Sequence, residues 1–434
     1  MNKMCIITYP KELNKIFCKL QEHNSRPVIV GGFVRDAFLK IESKDIDIEV
    51  YNVSSFEKLE KILQEFGSVN SVGKSFGVCK LHVNNLELDF TLPRLDNKLS
   101  SGHKGFDVKI KPDFDFIQAA SRRDFTINAI GYDVINQKIL DPFNGIKDLK
   151  NKILKAVDKD SFIEDPLRVL RAVQFCARFC LTMDKKLFNL CKKMIDADML
   201  KELSKERIFQ EMKKLLLKSQ KPSIGFEILK ELNALKYFPQ LKEIQKKDWV
   251  YTLLTLDKMT SFFTCNENTN LALMLSILCI NFDNSHDFSL TKKFIKRLSN
   301  KKELLEHTLT LVKSYPILKD ISPQKIDNPL LYKLASKVNI EELLLLNKTD
   351  YLIKNSTNSY KLFDIIKEKA ENLNILNKKA PPFLQGKDIL KYGITPSREY
   401  SNILNRAYEA QMNEEFNSYK DAIIWLEKYL GDKI

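Results

Sequence analysis

No Cys-x-x-Cys pair occurs in this chain. Its eight cysteines, Cys5, Cys18, Cys79, Cys176, Cys180, Cys191, Cys265 and Cys279, are scattered, and several fall in apolar helical patterns. They read as small buried hydrophobes in a reducing compartment, which excludes a disulfide framework. Cys176 and Cys180 are one helical turn apart, but no histidine or second cysteine pair completes a zinc site. Long apolar runs are also missing. The longest, Leu271 to Ile280, is too short to span a bilayer and reads as a core helix. Met1 to Pro10 holds no apolar stretch of signal-peptide length, so the expected address is cytoplasmic, with no membrane partner. There is no internal repeat, no low-complexity tract and no apparent Ser/His/Asp arrangement.

What is present is apolar material and positive charge. Of 434 residues, 44% are hydrophobic and 29% charged, enough for two to four domains with real cores. Lys and Arg outnumber Asp and Glu by 70 to 56, a net +14. That excess points to a polyanionic partner, nucleic acid before membrane.

Residues 28–50 organise the rest. The apolar run Val28 to Val30 ends at Gly31-Gly32, a helical pattern follows through Phe33, Val34, Ala37 and Phe38, and Asp45-Ile46-Asp47-Ile48 alternates with period two. This reads as strand, glycine turn, helix, strand. Residues two apart on a strand share a face, so Asp45 and Asp47 present paired carboxylates while Ile46 and Ile48 enter the core. Paired carboxylates repel unless a cation lies between them, and oxygen ligands beside phosphate suit Mg²⁺. The glycine turn lets a ligand approach the backbone, the helix N-terminus offers N–H groups to an anion, and Arg35 adds a guanidinium fork.

Taken in order, residues 10–22 predict an amphipathic helix, 54–66 another, and 76–82 and 86–92 strands. Asp89 borders the carboxylate pair if its strand lies beside that of Asp47. Residues 93–113, with Arg94, Lys98, His103, Lys104, Lys109 and Lys111, read as a long basic loop. Arg122-Arg123-Asp124 reads as two arginines opening a helix, with Asp124 capping or orienting them, a place to hold triphosphate. Beyond about residue 160 the period is 3.6. Glu164 to Phe175 predicts a helix with Pro166 in its first turn and Leu167, Leu170, Val173 and Ala177 inward. Arg168 and Arg171 share a face with Asp165. A carboxylate that accepts and a guanidinium that donates match the edge of cytosine or adenine, each with an exocyclic amine, and reject uracil and guanine. The same spacing also serves ordinary salt bridges. Ser204 predicts the N-cap of a further helix with Glu206 in its first turn. Helices and polar linkers continue to 375, Pro381-Pro382 breaks the chain, and 401–411 and 419–430 close it.

Five ordered motifs carry a family resemblance: Gly31-Gly32-Phe33-Val34-Arg35-Asp36, Asp45-Ile46-Asp47, Arg122-Arg123-Asp124 through Asn128, Glu164-Asp165 through Arg168, and Ser204 through Glu206-Arg207-Ile208. Together they resemble class II tRNA nucleotidyltransferases, the CCA-adding enzymes, and the related bacterial poly(A) polymerases. The likeness is strongest over 26–215 and resumes at Gly386-Lys387-Asp388-Ile389-Leu390 and Gly393-Ile394 with Pro396. It implies an α+β fold: a polymerase-β-like head with a mixed sheet (1–158), then an all-α neck (159–220), body (221–378) and tail (379–434). It implies addition of CCA to tRNA 3′ ends from CTP and ATP with release of pyrophosphate. The alternatives are poly(A) addition or partial CC- or A-addition. Asp45 and Asp47 would hold catalytic Mg²⁺. Gly32, Arg35 and Arg123 would hold triphosphate and sugar, and Asp165 and Arg168 would template the base with Arg171 in support. Gly31, Asp36, Asp124, Asn128 and Glu164 would play supporting parts. Two departures stand out. Gln174 occupies a position where relatives often carry a further Arg. The body has Tyr251 and Asn281 where some relatives carry the His-Asp ligands of a phosphohydrolase, so an HD-like fold without that chemistry is expected, and His286-Asp287 reads as a decoy.

Overall fold

The computed structural model describes residues 7–70, 77–84, 86–98, 106–110, 114–283, 287–319, 321, 325–354 and 361–431; of 94–98 and 106–110 it describes the backbone. The chain divides into two compact units, residues 1–237 and 238–434.

The first unit opens with α1 (Leu13–Glu22), whose Leu13, Ile16, Phe17 and Leu20 are buried at the predicted helical spacing. There follow β1 (Arg26–Val30), α2 (Gly32–Leu39), β2 (Ile46–Tyr51), α3 (Phe56–Leu63), β3 (Ser68–Asn70), β4 (Val78–Val83) and β5 (Leu86–Thr91). Next come β6 (Arg94–Lys98), β7 (Phe106–Ile110), α4 (Phe116–Ser121), β8 (Gly131–Asp133) and β9 (Lys138–Leu140). A seven-stranded mixed sheet runs in the order β3-β4-β5-β2-β1-β8-β9. Its register gathers the motifs. β1 and β2 are antiparallel with Val30 opposite Asp47. β2 and β5 are parallel with Asp47 opposite Asp89. β1 and β8 are antiparallel with Val30 opposite Gly131. The glycine turn, the carboxylates and the Asn128 segment therefore meet at one end of the sheet.

Residues 93–113 differ from expectation. Residues 94–98 and 106–110 form an antiparallel two-stranded ribbon, with Arg94 opposite Ile110. Phe106, Val108 and Ile110 do alternate, but Leu95 is the only apolar residue of the facing strand, so the period-two signal was half absent. His103 and Lys104 lie outside the described residues.

The first unit continues with α5 (Gly145–Lys150), β10 (Ile153–Leu154), α6 (Lys159–Ile163), α7 (Leu167–Phe179), β11 (Thr182–Met183), α8 (Lys185–Asp196), α9 (Lys205–Lys218) and α10 (Pro222–Glu231). Pro166 is the N-cap of α7, one residue earlier than predicted. Ser204 caps α9 as predicted, accepting from the Arg207 backbone N–H.

The second unit is helical: α11 (Lys246–Met259), α12 (Glu267–Cys279), α13 (Ser289–Leu298), α14 (Lys302–Lys319), α15 (Asn328–Ala335), α16 (Ile340–Lys354), α17 (Lys361–Asn372), α18 (Gly386–Leu390), α19 (Arg398–Met412) and α20 (Tyr419–Gly431). The apolar run at 271–280 is α12, buried on every side over Thr269 to Cys279. The residues after Pro381-Pro382 have a core of their own, with Leu384, Ile389, Ile403, Phe416 and Leu426 buried together. Asn281 Nδ2 donates to Thr252 Oγ1 at 2.7 Å, and Tyr251 is 43% exposed. An amide on a hydroxyl is a structural contact, not a metal ligand set. His286 lies outside the described residues. No described helix is long and apolar enough to cross a membrane, and the described cysteines are all free.

Candidate active site

At the end of β1 the backbone turns at Gly31 with φ 71° and ψ −128°. Side chains avoid that conformation. A Cβ there would also lie 2.9 Å from Arg123 Nη1. The turn opens a cavity of about 530 Å³ whose lining includes Gly31, Gly32, Arg35, Asp47, Arg123, Asp124, Asn128, Asp165, Arg168 and Arg171. Ten of the expected site residues thus surround one space, although the sequence places them over more than a hundred positions.

Asp45 faces a neighbouring cavity of about 1060 Å³, which it lines with Asp47 and Asp89. Asp47 belongs to both cavities and joins them. Its carboxyl is raised above the ordinary value: lost hydration comes first, then the negative charges of Asp89, Asp45 and Glu49, against the pull of Arg123. The Asp47 side chain is itself open to solvent, and the like charges beside it add to the rise. Lys80 Nζ stands 3.2 Å from Asp89 Oδ1 and partly neutralises it. Oxygen donors crowded to this degree fit a hard divalent cation. Among the described residues no group of three or more His, Cys, Asp or Glu side chains is gathered for a metal.

The arginines are held in different ways. Arg35 is 5% exposed. Its Nε donates to Asp36 Oδ1 at 2.7 Å and its Nη1 to Asn128 Oδ1 at 2.6 Å. Arg123 donates from Nη2 to Glu49 Oε1 at 3.1 Å and from Nη1 to the Asn128 carbonyl at 3.2 Å. Arg122 Nη2 meets the same Glu49 oxygen at 3.0 Å. Glu49 is 1% exposed. Burial alone would raise its pKa, but Arg123, Arg122 and the Tyr51 hydroxyl hold it below the usual carboxylate range. Arg122 and Arg123 follow α4 instead of opening a helix, and what comes next is one 3-10 turn, Thr126–Asn128. Their counter-ion is Glu49, not Asp124. Asp124 accepts from the Phe125 backbone N–H and Asn128 Nδ2, both at 2.9 Å, and from Arg171 Nε at 2.7 Å. Arg171 and the Asn128 amide, with Arg168 nearby, lower its pKa against a burial effect that would raise it.

At the far side of the cavity, Asp165 and Arg168 are tethered separately. Asp165 Oδ1 accepts from the Leu167 backbone N–H at 3.1 Å, and Oδ2 from Arg207 Nη2 at 2.7 Å. Arg168 donates from Nη1 to the Ser161 carbonyl and from Nη2 to the Arg122 carbonyl, both at 2.7 Å. The i,i+3 salt bridges that the spacing also allowed are not what these side chains make. Glu164 is not part of the cavity lining, though its charge acts on Arg168.

Sequence reasoning gave no role to Glu49, Arg207 or Phe175, which also line the cavity, as does Arg122, read with Arg123 as a holder of triphosphate. Glu49 was within reach, since Asp45-Ile46-Asp47-Ile48-Glu49-Val50 continues one alternation. Arg207 stood inside a quoted motif, but nothing local names its partner, Asp165, 42 positions upstream.

These features place a glycine turn, a carboxylate and several arginines around one cavity, with residues of α7 on its lining. Residues 28–155 match the family described as "Poly A polymerase head domain", and residues 180–245 match "Probable RNA and SrmB- binding site of polymerase A". These matches cover the sheet-bearing part and a helical segment after it, and leave the rest of the chain unmatched by either family. It is 38% identical over 192 residues to the "Multifunctional CCA protein" of Pseudoalteromonas atlantica, a match covering 44% of this chain and 45% of that protein. The chain thus spans less than half the length of that curated relative. Its fold is that of the Bacillus stearothermophilus CCA-adding enzyme crystallised with CTP, at TM-score 0.74 and 21% identity over 98% of this chain and 99% of the other. A CCA-adding enzyme in complex with ATP gives 0.67 at 21% identity over 98% and 97%. The Thermotoga maritima CCA-adding enzyme complexed with tRNA gives 0.64 at 21% identity, also over 98% and 97%.

Proposed function

We propose that this protein adds CCA to tRNA 3′ ends from CTP and ATP, without a nucleic-acid template and with release of pyrophosphate, in the cytoplasm. The observation that carries the reading is the cavity itself. Asp47, several arginines, Asp165 and Arg168 all line it. The fold shared with enzymes solved with CTP, ATP and tRNA supports the choice of substrates.

In this reading the RNA 3′-hydroxyl attacks the α-phosphorus in line, a new P–O bond forms, the bond to the β-phosphate oxygen breaks, and pyrophosphate leaves. Asp45 and Asp47 would hold Mg²⁺, which when bound lowers the pKa of the attacking hydroxyl and steadies the leaving oxygens. Gly31 and Gly32 leave room for the triphosphate against the backbone. Arg123 faces it from a fixed position, since Glu49 and the Asn128 carbonyl orient its guanidinium. Arg35, locked by Asp36 and Asn128, supplies positive charge at the same wall. Asp165 accepts from the exocyclic amine of C or A, and Arg168 donates to the ring edge. Both are restrained before substrate arrives, so little side-chain entropy remains to be lost.

The head family takes its name from poly(A) polymerases, so poly(A) addition is the rival. Purified protein, tRNA lacking its 3′ end, Mg²⁺ and single nucleotides separate the two. Incorporation of CTP and then ATP, stopping after three additions, supports CCA addition. Unlimited ATP incorporation overturns it in favour of poly(A) synthesis, and CTP-only or ATP-only incorporation identifies a partial enzyme.

A further inference from the structure

Phe175 lies on α7, is 5% exposed and lines the nucleotide cavity. Arg35 Cζ, from α2, is 5.3 Å from its ring centre, and Arg171 Cζ is 5.5 Å from the same centre. Both are within cation–π range. Phe125, next to Asp124, has its ring centre 5.2 Å away, and Phe179 lies 5.6 Å away. Arg35 also sits 4.6 Å from the Phe179 ring centre. One phenyl ring therefore touches the arginine at the glycine turn and the arginine on the base-facing helix.

The same two arginines are joined by a polar route. Arg35 donates to Asn128 at 2.6 Å, Asn128 donates to Asp124 at 2.9 Å, and Arg171 donates to Asp124 at 2.7 Å. The polar chain sets distances between the groups. Asp36 and Asn128 hold the edges of the Arg35 guanidinium and Asp124 those of Arg171; the faces remain for packing, and an aromatic face is what a planar cation packs on best. Burial works against the charge of Arg35, so a π face is worth more to it here than on an exposed surface.

We infer that Phe175 is a positioning residue for nucleotide choice: its ring couples the triphosphate-side arginine, Arg35, to the base-side arginine, Arg171, so that base recognition and triphosphate placement are set together. This rests on the function proposed above. An apolar residue without a π face fills the space but gives up the cation–π attraction that the two guanidiniums share through this ring.

The test compares Phe175→Leu with Phe175→Tyr in the full chain. Turnover and KM are measured for CTP and ATP, with UTP and GTP as competitors, beside thermal midpoints. Phe175→Leu is expected to raise KM for both nucleotides and to reduce discrimination against UTP and GTP, each by about tenfold. Phe175→Tyr, which keeps the face, should stay near the parent in both. Parental KM and discrimination in Phe175→Leu overturn the inference, as does equal loss in the Tyr variant with a lowered midpoint, which marks a packing role alone. If Phe175→Leu does not fold, Phe175→Met is read by the same criteria. Absence of transfer by the parent protein would sink the proposed function itself, a result distinct from an active parent with an indifferent variant.

Discussion

Glu49 shows how much one buried carboxylate can decide. It anchors Arg122 and Arg123 from a strand position two residues beyond Asp47, and a single oxygen takes both guanidiniums. Removing one partner of a buried charge network leaves the others uncompensated. Glu49→Ala is expected to cost about 3–5 kcal/mol, read by denaturant unfolding. A variant within 1 kcal/mol of the parent, judged against that ~3–5 kcal/mol scale, would refute the network reading. In the proposed function Asp45 and Asp47 would act on chemistry instead. Asp45→Ala with Asp47→Ala should abolish transfer and leave tRNA binding intact in a filter-binding assay; full activity would refute the metal assignment. Arg168→Ala should relax base choice more than it weakens triphosphate binding, and unchanged selectivity would remove its templating role. The paired aspartates and the arginine spacings were legible in sequence because periodicity alone puts such groups on one face. Glu49 as counter-ion of Arg122 and Arg123 was not, because 73 and 74 positions separate the partners and only the sheet brings them together.

Between elements, Asp124 ties the segment after α4 to α7. It is 8% exposed and bound to Arg171. Its pKa is held below the usual carboxylate range, chiefly by Arg171 against burial. A carboxyl with a depressed folded pKa adds stability that is fully present above its unfolded value of about 3.9 and is lost as pH falls through the folded value. Asp124→Asn should therefore be less stable than the parent at neutral pH, and the difference should shrink on acidification below about pH 4. A pH-independent difference in thermal midpoint would contradict the linkage. α10 makes the complementary case in apolar packing. A Cβ on Gly225 would come 2.4 Å from Leu215 Cδ1 and 3.2 Å from Val173 Cγ1, so this glycine sets how closely α10 approaches α7 and α9. Gly225→Ala should destabilise by about 1–3 kcal/mol through overpacking, measurable by urea unfolding. The helices themselves were readable from period 3.6, as α1, α7 and α12 show. The ribbon at 94–110 was not, since strand pairing depends on a partner whose own pattern is polar.

For the whole molecule, the net charge of +14 bears on the tRNA binding proposed above. Affinity should fall steeply with salt, by about tenfold or more between roughly 50 and 200 mM, because phosphate contacts release counterions. A flat salt response would count against a backbone-tracking mode. The sequence by itself determined the order of the motifs, the paired carboxylates, the glycine turn and the shift from strands to helices. These follow from local periodicity and from the conformational limits of single residues. Tertiary structure decided which charges face which. It gave Glu49 to Arg122 and Arg123, Asp124 to Arg171, and Arg207 to Asp165. The physical reason is that an ion pair is selected by distance in space, and a carboxylate carries no local mark of which guanidinium the fold will bring to it.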